Sequence, residues 1–213
     1  MSLANYLELK SAIADWLNRT GQTELEDRAG DFIGLFESQF NKQEIRHPKA
    51  SVRTSLAVSG EYVALPSDFM EMQRLRTTGG SAGWATHRYV TPEELEDDKA
   101  ANDSSGRPYL FTLVGDEIQI RPYSTTASLN LELVYWAKVT PLSDSAPTNW
   151  LLAESPEAYL FGALCEATPF IKEDERVALW QEKRGLAVAA LREAAQRASL
   201  TSGTLKPRRR KLG

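Results

Sequence analysis

The stretch Pro48-Lys49-Ala50-Ser51-Val52-Arg53-Thr54-Ser55-Leu56-Ala57-Val58 is where the hydrophobic period of the chain changes. Before Pro48, apolar residues recur every three or four positions, which is typical of an amphipathic helix. After Ser51 they alternate with polar residues, which is typical of a strand with one buried face. Because a proline disfavours helical geometry in the residue before it, the helical section is predicted to end here. The sequence therefore predicts a chain of mixed α+β class.

Two amphipathic helices are predicted upstream of this point. The first spans residues 4–19 and ends at Gly21, and the second opens with a capping box of Thr23 and Glu26 and continues toward Arg46. The apolar positions that share one helix face are Tyr6, Leu9, Ile13, Trp16 and Leu17 in the first helix, and Leu25, Ala29, Phe32, Ile33, Phe36 and Phe40 in the second. Residues 1–48 are thus predicted to form a helical hairpin.

Short strands are predicted downstream of the same point. Gly115-Asp116 divides residues 109–114 from 117–121 as the turn of a hairpin, and residues 129–135 alternate as one more strand. The run Thr91-Pro92-Glu93-Glu94 predicts a short helix with a threonine cap and a proline at its first position. Residues 49–140 are therefore expected to be an inserted antiparallel β section.

Helical periodicity returns after a linker at residues 141–147. A third helix is predicted to begin at Ser155-Pro156 and to be interrupted by Pro169, and a fourth to run from the acidic turn at Glu173 to Ser199. Residues 141–200 would then complete a bundle of two N-terminal and two C-terminal helices. Residues 201–213 are predicted to be an extended, flexible basic tail.

Composition and charge exclude several classes of protein. Hydrophobic residues make up 42% of the 213 positions, and a single cysteine, Cys165, excludes an internal disulfide framework. No apolar run approaches the roughly 18 residues of a membrane helix, and the N-terminus lacks a basic start and an apolar segment, so a cytosolic or particle-borne protein is expected. Residues 1–200 carry 20 Lys and Arg against 29 Asp and Glu, a net charge of −9. Such an acidic body disfavours broad DNA binding by the folded part.

One segment matches a catalytic motif, but the elements predicted around it are not those that the motif requires. Gly79-Gly80-Ser81-Ala82-Gly83 has the G-x-S-x-G pattern of a nucleophile elbow, but an extended segment follows it instead of a helix. His87 is the only histidine downstream and lies too near in sequence for the usual order of triad residues. A hairpin loop is therefore favoured over an esterase that uses Ser81, and no catalytic residue is predicted.

Metal and cofactor sites are not predicted either. His47, His87 and Cys165 lack the close pair spacing of metal ligands, and Cys165 is expected to pack in the core. The acidic cluster Glu93, Glu94, Glu96, Asp97 and Asp98 lacks the pattern of a calcium loop, which favours a solvated helix face. The sequence has no phosphate-binding glycine motif, so no cofactor is expected.

The basic tail is the strongest local signal in the sequence. Four consecutive cations follow a proline, and Leu205 and Leu212 flank them. Three interpretations remain open: a solubilising end, a peg that becomes ordered in an acidic protein groove, and an arm that contacts DNA. The residues assigned to partner binding are Leu205, Lys206, Arg208, Arg209, Arg210, Lys211 and Leu212.

Several runs resemble a known family. They are Asn149-Trp150-Leu151-Leu152, the run from Pro156 to Leu164, the run from Pro169 to Arg176 with Trp180, Pro66-Ser67-Asp68-Phe69, and the hairpin flanked by Arg107-Pro108 and Arg121-Pro122. Together they resemble the head-to-tail adaptor proteins of short-tailed phages, also called connector, head-completion or tail tubular proteins. The likeness extends over most of the chain and lies in the order and spacing of these runs.

The resemblance implies a structural role in a virion. It implies a ring of about twelve subunits beneath the portal protein, which extends the DNA channel and offers a platform to a tail or nozzle protein. Double-stranded DNA would pass without sequence-specific binding, no membrane would be involved, and the protein would reside at the head–tail junction after synthesis in the host cytoplasm. Leu205 to Leu212 matches the extension by which such adaptors reach the portal. A nucleic-acid-binding accessory protein that acts through the basic tail is the alternative.

Overall fold

The computed structural model describes residues 3–17, 23–43, 46–78, 85–101, 105–123, 129–171 and 176–199. Within them lie six α-helices, namely α1 (Tyr6–Trp16), α2 (Thr23–Asn41), α3 (Pro92–Ala101), α4 (Trp150–Glu154), α5 (Pro156–Ile171) and α6 (Val177–Ser199). The strands are β1 (Ser51–Ala57), β2 (Tyr62–Ala64), β3 (Phe69–Thr78), β4 (Ala85–Thr86), β5 (Arg88–Tyr89), β6 (Leu110–Val114), β7 (Glu117–Arg121) and β8 (Asn130–Ala137). A mixed α+β fold is confirmed.

The described residues separate into two units. The helical unit contains α1 and α2 together with α4, α5 and α6, and the β unit spans Lys49–Thr140. The basic tail and the Gly79–Gly83 loop of the sequence analysis lie outside the described residues, as do the side chains of the Thr23–Glu26 capping box.

Large apolar side chains fill the helical unit. Helix α5 packs against α1, α2 and α6, and Phe36, Tyr159 and Trp180 are buried between them. At the start of α1, the Asn5 Oδ1 atom accepts a hydrogen bond of 2.9 Å from the Glu8 amide. This contact satisfies one of the free amides at the helix N-terminus and explains why α1 begins at Tyr6.

The C-terminal helices differ from the prediction in two ways. A short helix, α4, precedes Ser155, with Asn149 as its N-cap, so three helices follow the β unit instead of two. Pro169 does not interrupt α5, which continues to Ile171. Because Pro169 lies in the last turn, the helix loses only the one backbone hydrogen bond that an N–H at position 169 would donate to the Cys165 carbonyl. One residue earlier, Thr168 Oγ1 donates a side-chain hydrogen bond to the Leu164 carbonyl.

The β unit contains two four-stranded sheets. Sheet 1 has the strand order β1-β8-β3-β4 and sheet 2 the order β2-β7-β6-β5. The β6–β7 hairpin turns at Gly115, whose φ of 61° lies in the left-handed region that glycine tolerates, as the sequence predicted. The section is not wholly antiparallel, because β5 pairs with β6 in parallel through Arg88 and Tyr89. A parallel pair requires a crossover, and α3 lies between these two strands in sequence.

The β unit has three layers. The two sheets face each other across one apolar cluster that includes Leu75, Leu133, Phe111 and Ile118. Residues that alternate with this cluster on sheet 2, such as Leu110, face the opposite side, where Leu95 of α3 is buried. Sheet 1 and α3 are therefore the two outer layers, with sheet 2 between them.

We expect Gly162→Ala to destabilise the helical unit. A Cβ atom at Gly162 would overlap the ring of Phe36, so the buried ring or α5 itself would have to move. The expected loss is about 1–3 kcal/mol in the free energy of unfolding, measured by urea denaturation. The matched control is Gly185→Ala in α6, where no atom lies within 4 Å of the added carbon. That variant should gain about 0.5–1 kcal/mol from helix propensity, and equal effects at the two sites would contradict the close approach.

Candidate interaction surfaces

The residues assigned to partner binding in the tail, from Leu205 to Leu212, lie outside the described residues, so their role stays a prediction. The described surface nevertheless carries two charged features, both in the β unit. One lies on the outer side of sheet 1 and the other on α3.

The outer side of sheet 1 carries three arginines around one glutamate. Glu132 of β8 accepts a hydrogen bond of 2.6 Å from Arg76 Nε and one of 3.3 Å from Arg74 Nη2, and Arg53 Nη1 lies 3.9 Å from it. The side chains of Arg53 and Arg74 are 71% and 48% exposed, whereas Glu132 is 10% exposed. The cluster therefore presents two positive charges in excess, and we call it the arginine face.

Sheet geometry explains why these residues meet. Along β8 the residues Leu131, Leu133 and Tyr135 are buried in the cluster between the sheets, so Glu132 faces outward. Arg76 lies directly opposite Glu132 on β3. Glu71 lies further along the same side of the sheet, opposite Trp136. The alternating pattern of β3 in the sequence indicates that Arg74 and Arg76 share a face of the sheet. That Glu132 lies beside them follows only from the register in which β3 pairs with β8.

Helix α3 carries the opposite charge. It contains five carboxylates and one lysine over Pro92–Ala101, and Glu93, Glu94, Glu96 and Asp97 are exposed. The Thr91 Oγ1 atom accepts from the Glu94 amide at 3.2 Å, which confirms the predicted threonine cap. The solvated acidic face that the sequence predicted is thus present on this helix.

Polar contacts anchor α3 to sheet 2. Glu61 accepts a hydrogen bond of 3.0 Å from Lys99 Nζ and one of 2.7 Å from Gln119 Nε2. Gln119 also donates a hydrogen bond to Glu96. Burial would raise the pKa of Glu61, but the hydrogen bonds from Gln119 and Lys99 outweigh it and hold the pKa below its usual value. The helix is therefore held in one orientation on the sheet.

A groove of about 550 Å³ opens beside α3. The carboxylates of Glu94, Asp97 and Asp98 line it together with the ring of Tyr109, which is 49% exposed. Arg88 also lines the groove and donates 2.5 Å to Glu94. Carboxylates beside an aromatic ring are the environment that a guanidinium prefers, so we call this feature the acidic groove.

The two histidines lie in different units and serve packing. His47 stacks on Trp150 with ring centroids 4.9 Å apart. His87 is buried in the β unit with its Nε2 atom 2.5 Å from Thr77 Oγ1, and burial, with a smaller effect of Arg107, lowers its pKa to about 4. Thr77 is fully buried, and His87 lines a cavity of about 310 Å³ beside Leu75 and Phe111.

Cys165 is half-buried on α5, so it is less enclosed than the predicted core position. Burial raises the pKa of its thiol, which makes the reactive thiolate scarce at neutral pH. Among the described residues, no group of three His, Cys, Asp or Glu side chains is arranged to hold a metal ion. No described helix is both long and apolar enough to cross a membrane.

A buried carboxylate joins distant parts of the helical unit. Glu37 of α2 accepts a hydrogen bond of 2.9 Å from the Leu142 amide and one of 2.8 Å from the Tyr159 hydroxyl. Asn149 Nδ2 donates 2.6 Å to the same hydroxyl oxygen, and its Oδ1 atom caps α4 through the Leu152 amide. The network links α2, the segment before α4, and α5. No motif in the sequence indicates it, because its members are separated by up to 122 positions.

Comparison with protein families identifies the class of this chain. The model of the SU10 adaptor protein family matches residues 4–208, nearly the whole length. The chain therefore belongs to the SU10 adaptor protein family, a family of phage head-to-tail adaptors. It is a family of structural proteins and not of enzymes, and the resemblance found in the sequence is confirmed. A comparison with curated proteins found no significant match.

The pH dependence of stability tests the Glu37 network. Burial raises the pKa of Glu37 despite the hydrogen bonds that it accepts from Leu142 and Tyr159. Folding therefore favours the protonated form of Glu37. This preference stabilises the folded state fully at pH values below the unfolded pKa near 4.5, and the stabilisation is lost as pH rises through the folded pKa. We expect Glu37→Gln to gain stability relative to the wild type over this pH interval.

Urea denaturation of both proteins from acid to neutral pH measures this difference. Glu182→Gln is the control, because Glu182 is exposed on α6 and makes no contact of this kind. A difference between Glu37→Gln and the wild type that stays flat or shrinks as pH rises would contradict the assignment.

Proposed function

We propose that this protein is a subunit of a ring of about twelve copies that sits beneath the portal at the head–tail junction of a phage virion. The ring extends the DNA channel and gives a tail or nozzle protein its attachment platform. The observation that carries this proposal is the match of the adaptor family to residues 4–208. The protein acts through shape and surface, without catalysis and without a cofactor.

The charge distribution supports a channel through which DNA slides. Residues 1–200 carry a net charge of −9, and a surface of that sign repels phosphate instead of holding it through counterion release. Double-stranded DNA then passes without sequence-specific binding.

Exposed apolar side chains support contacts with other subunits. Leu7, Leu35, Leu179 and Leu186 of the helical unit are each between 47% and 66% exposed. Their burial against neighbouring copies, the portal or the tail would stabilise the assembled particle. We propose that residues 1–48 and 141–200 act as one helical domain, that residues 49–140 form the inserted β domain, and that the tail docks on the portal.

Native mass spectrometry of the protein mixed with its portal ring tests this function. We expect one defined complex that carries a full ring of added subunits, with few partly filled rings. Binding of one copy, or of none, to a portal ring that is itself intact would contradict the proposal.

Two variants of the tail separate portal docking from DNA binding. Removal of residues 201–213 should abolish portal attachment. Leu205→Ser with Leu212→Ser retains all five cations, and we expect it to weaken portal binding, because the leucines would be buried in the portal.

The alternative of a DNA arm gives another pattern with the same proteins. A gel shift with duplex DNA would then depend on salt with a slope of about −4 to −5 in log K against log salt, for five phosphate contacts. The leucine variant would shift DNA as the wild type does, and the truncated chain would not.

A further inference from the structure

We propose that neighbouring copies in the ring join through their β units, with the arginine face of one copy docked on the acidic groove of the next. This inference rests on the ring proposed above and names the surfaces that close it. Its occupant is a second copy of this chain, and charge complementarity between two described surfaces carries it.

The arginine face has donors available for such a contact. Most of the Arg53 side chain and about half of the Arg74 side chain are exposed to solvent. Both guanidinium groups also pair with the nearly buried carboxylate of Glu132. Glu132 accepts from Arg74 and Arg76, which fixes their positions before a partner arrives. Guanidinium groups held in this way lose little conformational freedom when they bind carboxylates in pairs of hydrogen bonds.

The acidic groove has matching acceptors. Asp97 lines it and is exposed, and Glu93, four positions earlier, lies on the same face of α3. Asp98 is paired at 3.9 Å with the buried Arg121, so Asp97 and Glu93 supply the outward-facing charge. Tyr109 adds an aromatic ring against which a guanidinium can stack.

The position of the two surfaces suits a ring. Sheet 1 and α3 are the outer layers of the β unit, so the basic and acidic surfaces face away from each other across sheet 2. Two different surfaces on one subunit make a head-to-tail contact, which repeats from copy to copy and closes into a ring when the rotation fits. A two-fold dimer would instead require each surface to bind itself, and like charges oppose that.

A second copy is a better occupant of the arginine face than DNA. Glu132 lies between the arginines and Glu71 lies further along the same side of sheet 1, so both carboxylates weaken the attraction of this surface for a continuous phosphate backbone. A protein partner with only a few carboxylates can place them next to the exposed arginines and away from Glu132 and Glu71. The acidic groove likewise repels DNA, so only contact between copies uses both surfaces.

Charge reversal on each surface, alone and together, is the test. The basic surface is reversed by Arg53→Glu with Arg74→Glu, and the acidic surface by Glu93→Lys with Asp97→Lys. We expect each reversed protein to associate with itself at least about tenfold more weakly than the wild type, because like charges then face each other. Arg192→Glu on the exposed part of α6 is the control for a change of charge outside both surfaces.

A one-to-one mixture of the two reversed proteins should restore association. In the mixture the acidic sheet of one variant meets the basic helix of the other, and the remaining surfaces keep their native pairing, so copies alternate around the ring. A chain that carries all four substitutions should also assemble. Restoration shows that both variants are folded. If Arg74→Glu disturbs the sheet through Glu132, Arg53→Glu alone is mixed instead, since Arg53 is the most exposed of the three arginines.

Two measurements separate this inference from the proposed function. Sedimentation velocity at rising protein concentration follows association without the portal, and native mass spectrometry counts copies on the portal ring. Reversed variants that fill the portal ring as the wild type does would overturn the inference and leave the adaptor function intact. Association that is lost on reversal and regained on mixing, with no portal binding, would support the inference and contradict the function.

Two further results would also overturn the inference. One is a mixture that associates no better than its separate components. The other is a gel shift of duplex DNA that is lost with the arginine variants and unaffected by the α3 variants, which would assign the arginine face to nucleic acid.

Discussion

The alternation of side chains along β8 is the constraint on which the β unit depends. This strand lies between β1 and β3, and it buries Leu131, Leu133 and Tyr135 while Glu132 faces outward. A shift of one residue in its pairing would place Glu132 in the apolar cluster and expose the leucines, and the burial of an unpaired carboxylate is costly. The same register that fills the core therefore also assembles three arginines around one acid on the outer surface.

In the helical unit, a buried network of polar side chains determines how the helices pack. Tyr159 is fully buried, and its hydroxyl has hydrogen-bonding partners only if Glu37 and Asn149 are both in place. A different rotation of α2 against α5 would keep much of the apolar contact but would leave a buried carboxylate without its donors. Apolar burial thus supplies the driving force, and the polar network selects one arrangement of the helices.

Local patterns in the sequence predicted the elements well where one residue type determines the geometry. Gly115 provides the left-handed turn of the β6–β7 hairpin, and Thr91 caps α3. The prediction was wrong at Pro169, because a proline in the last turn of a helix removes only one backbone hydrogen bond and so does not interrupt α5. The parallel pairing of β5 with β6 and the meeting of Arg53, Arg76 and Glu132 depend on which strands are neighbours. That information lies in contacts between residues far apart in sequence, and β3 also has irregular register between Phe69 and Arg74, which hides its alternation.

The proposed contact between copies also predicts that the ring forms on the portal and not in free solution. Exposed ion pairs are individually weak and are screened by salt, so a contact made of a few arginines and carboxylates does not hold two free copies together at low concentration. A portal ring that binds each subunit raises the local concentration of neighbouring copies, and the same weak contact then becomes effectively intramolecular. In the proposed assembly, a contact of this charged kind would therefore couple formation of the ring to binding of its subunits on the portal.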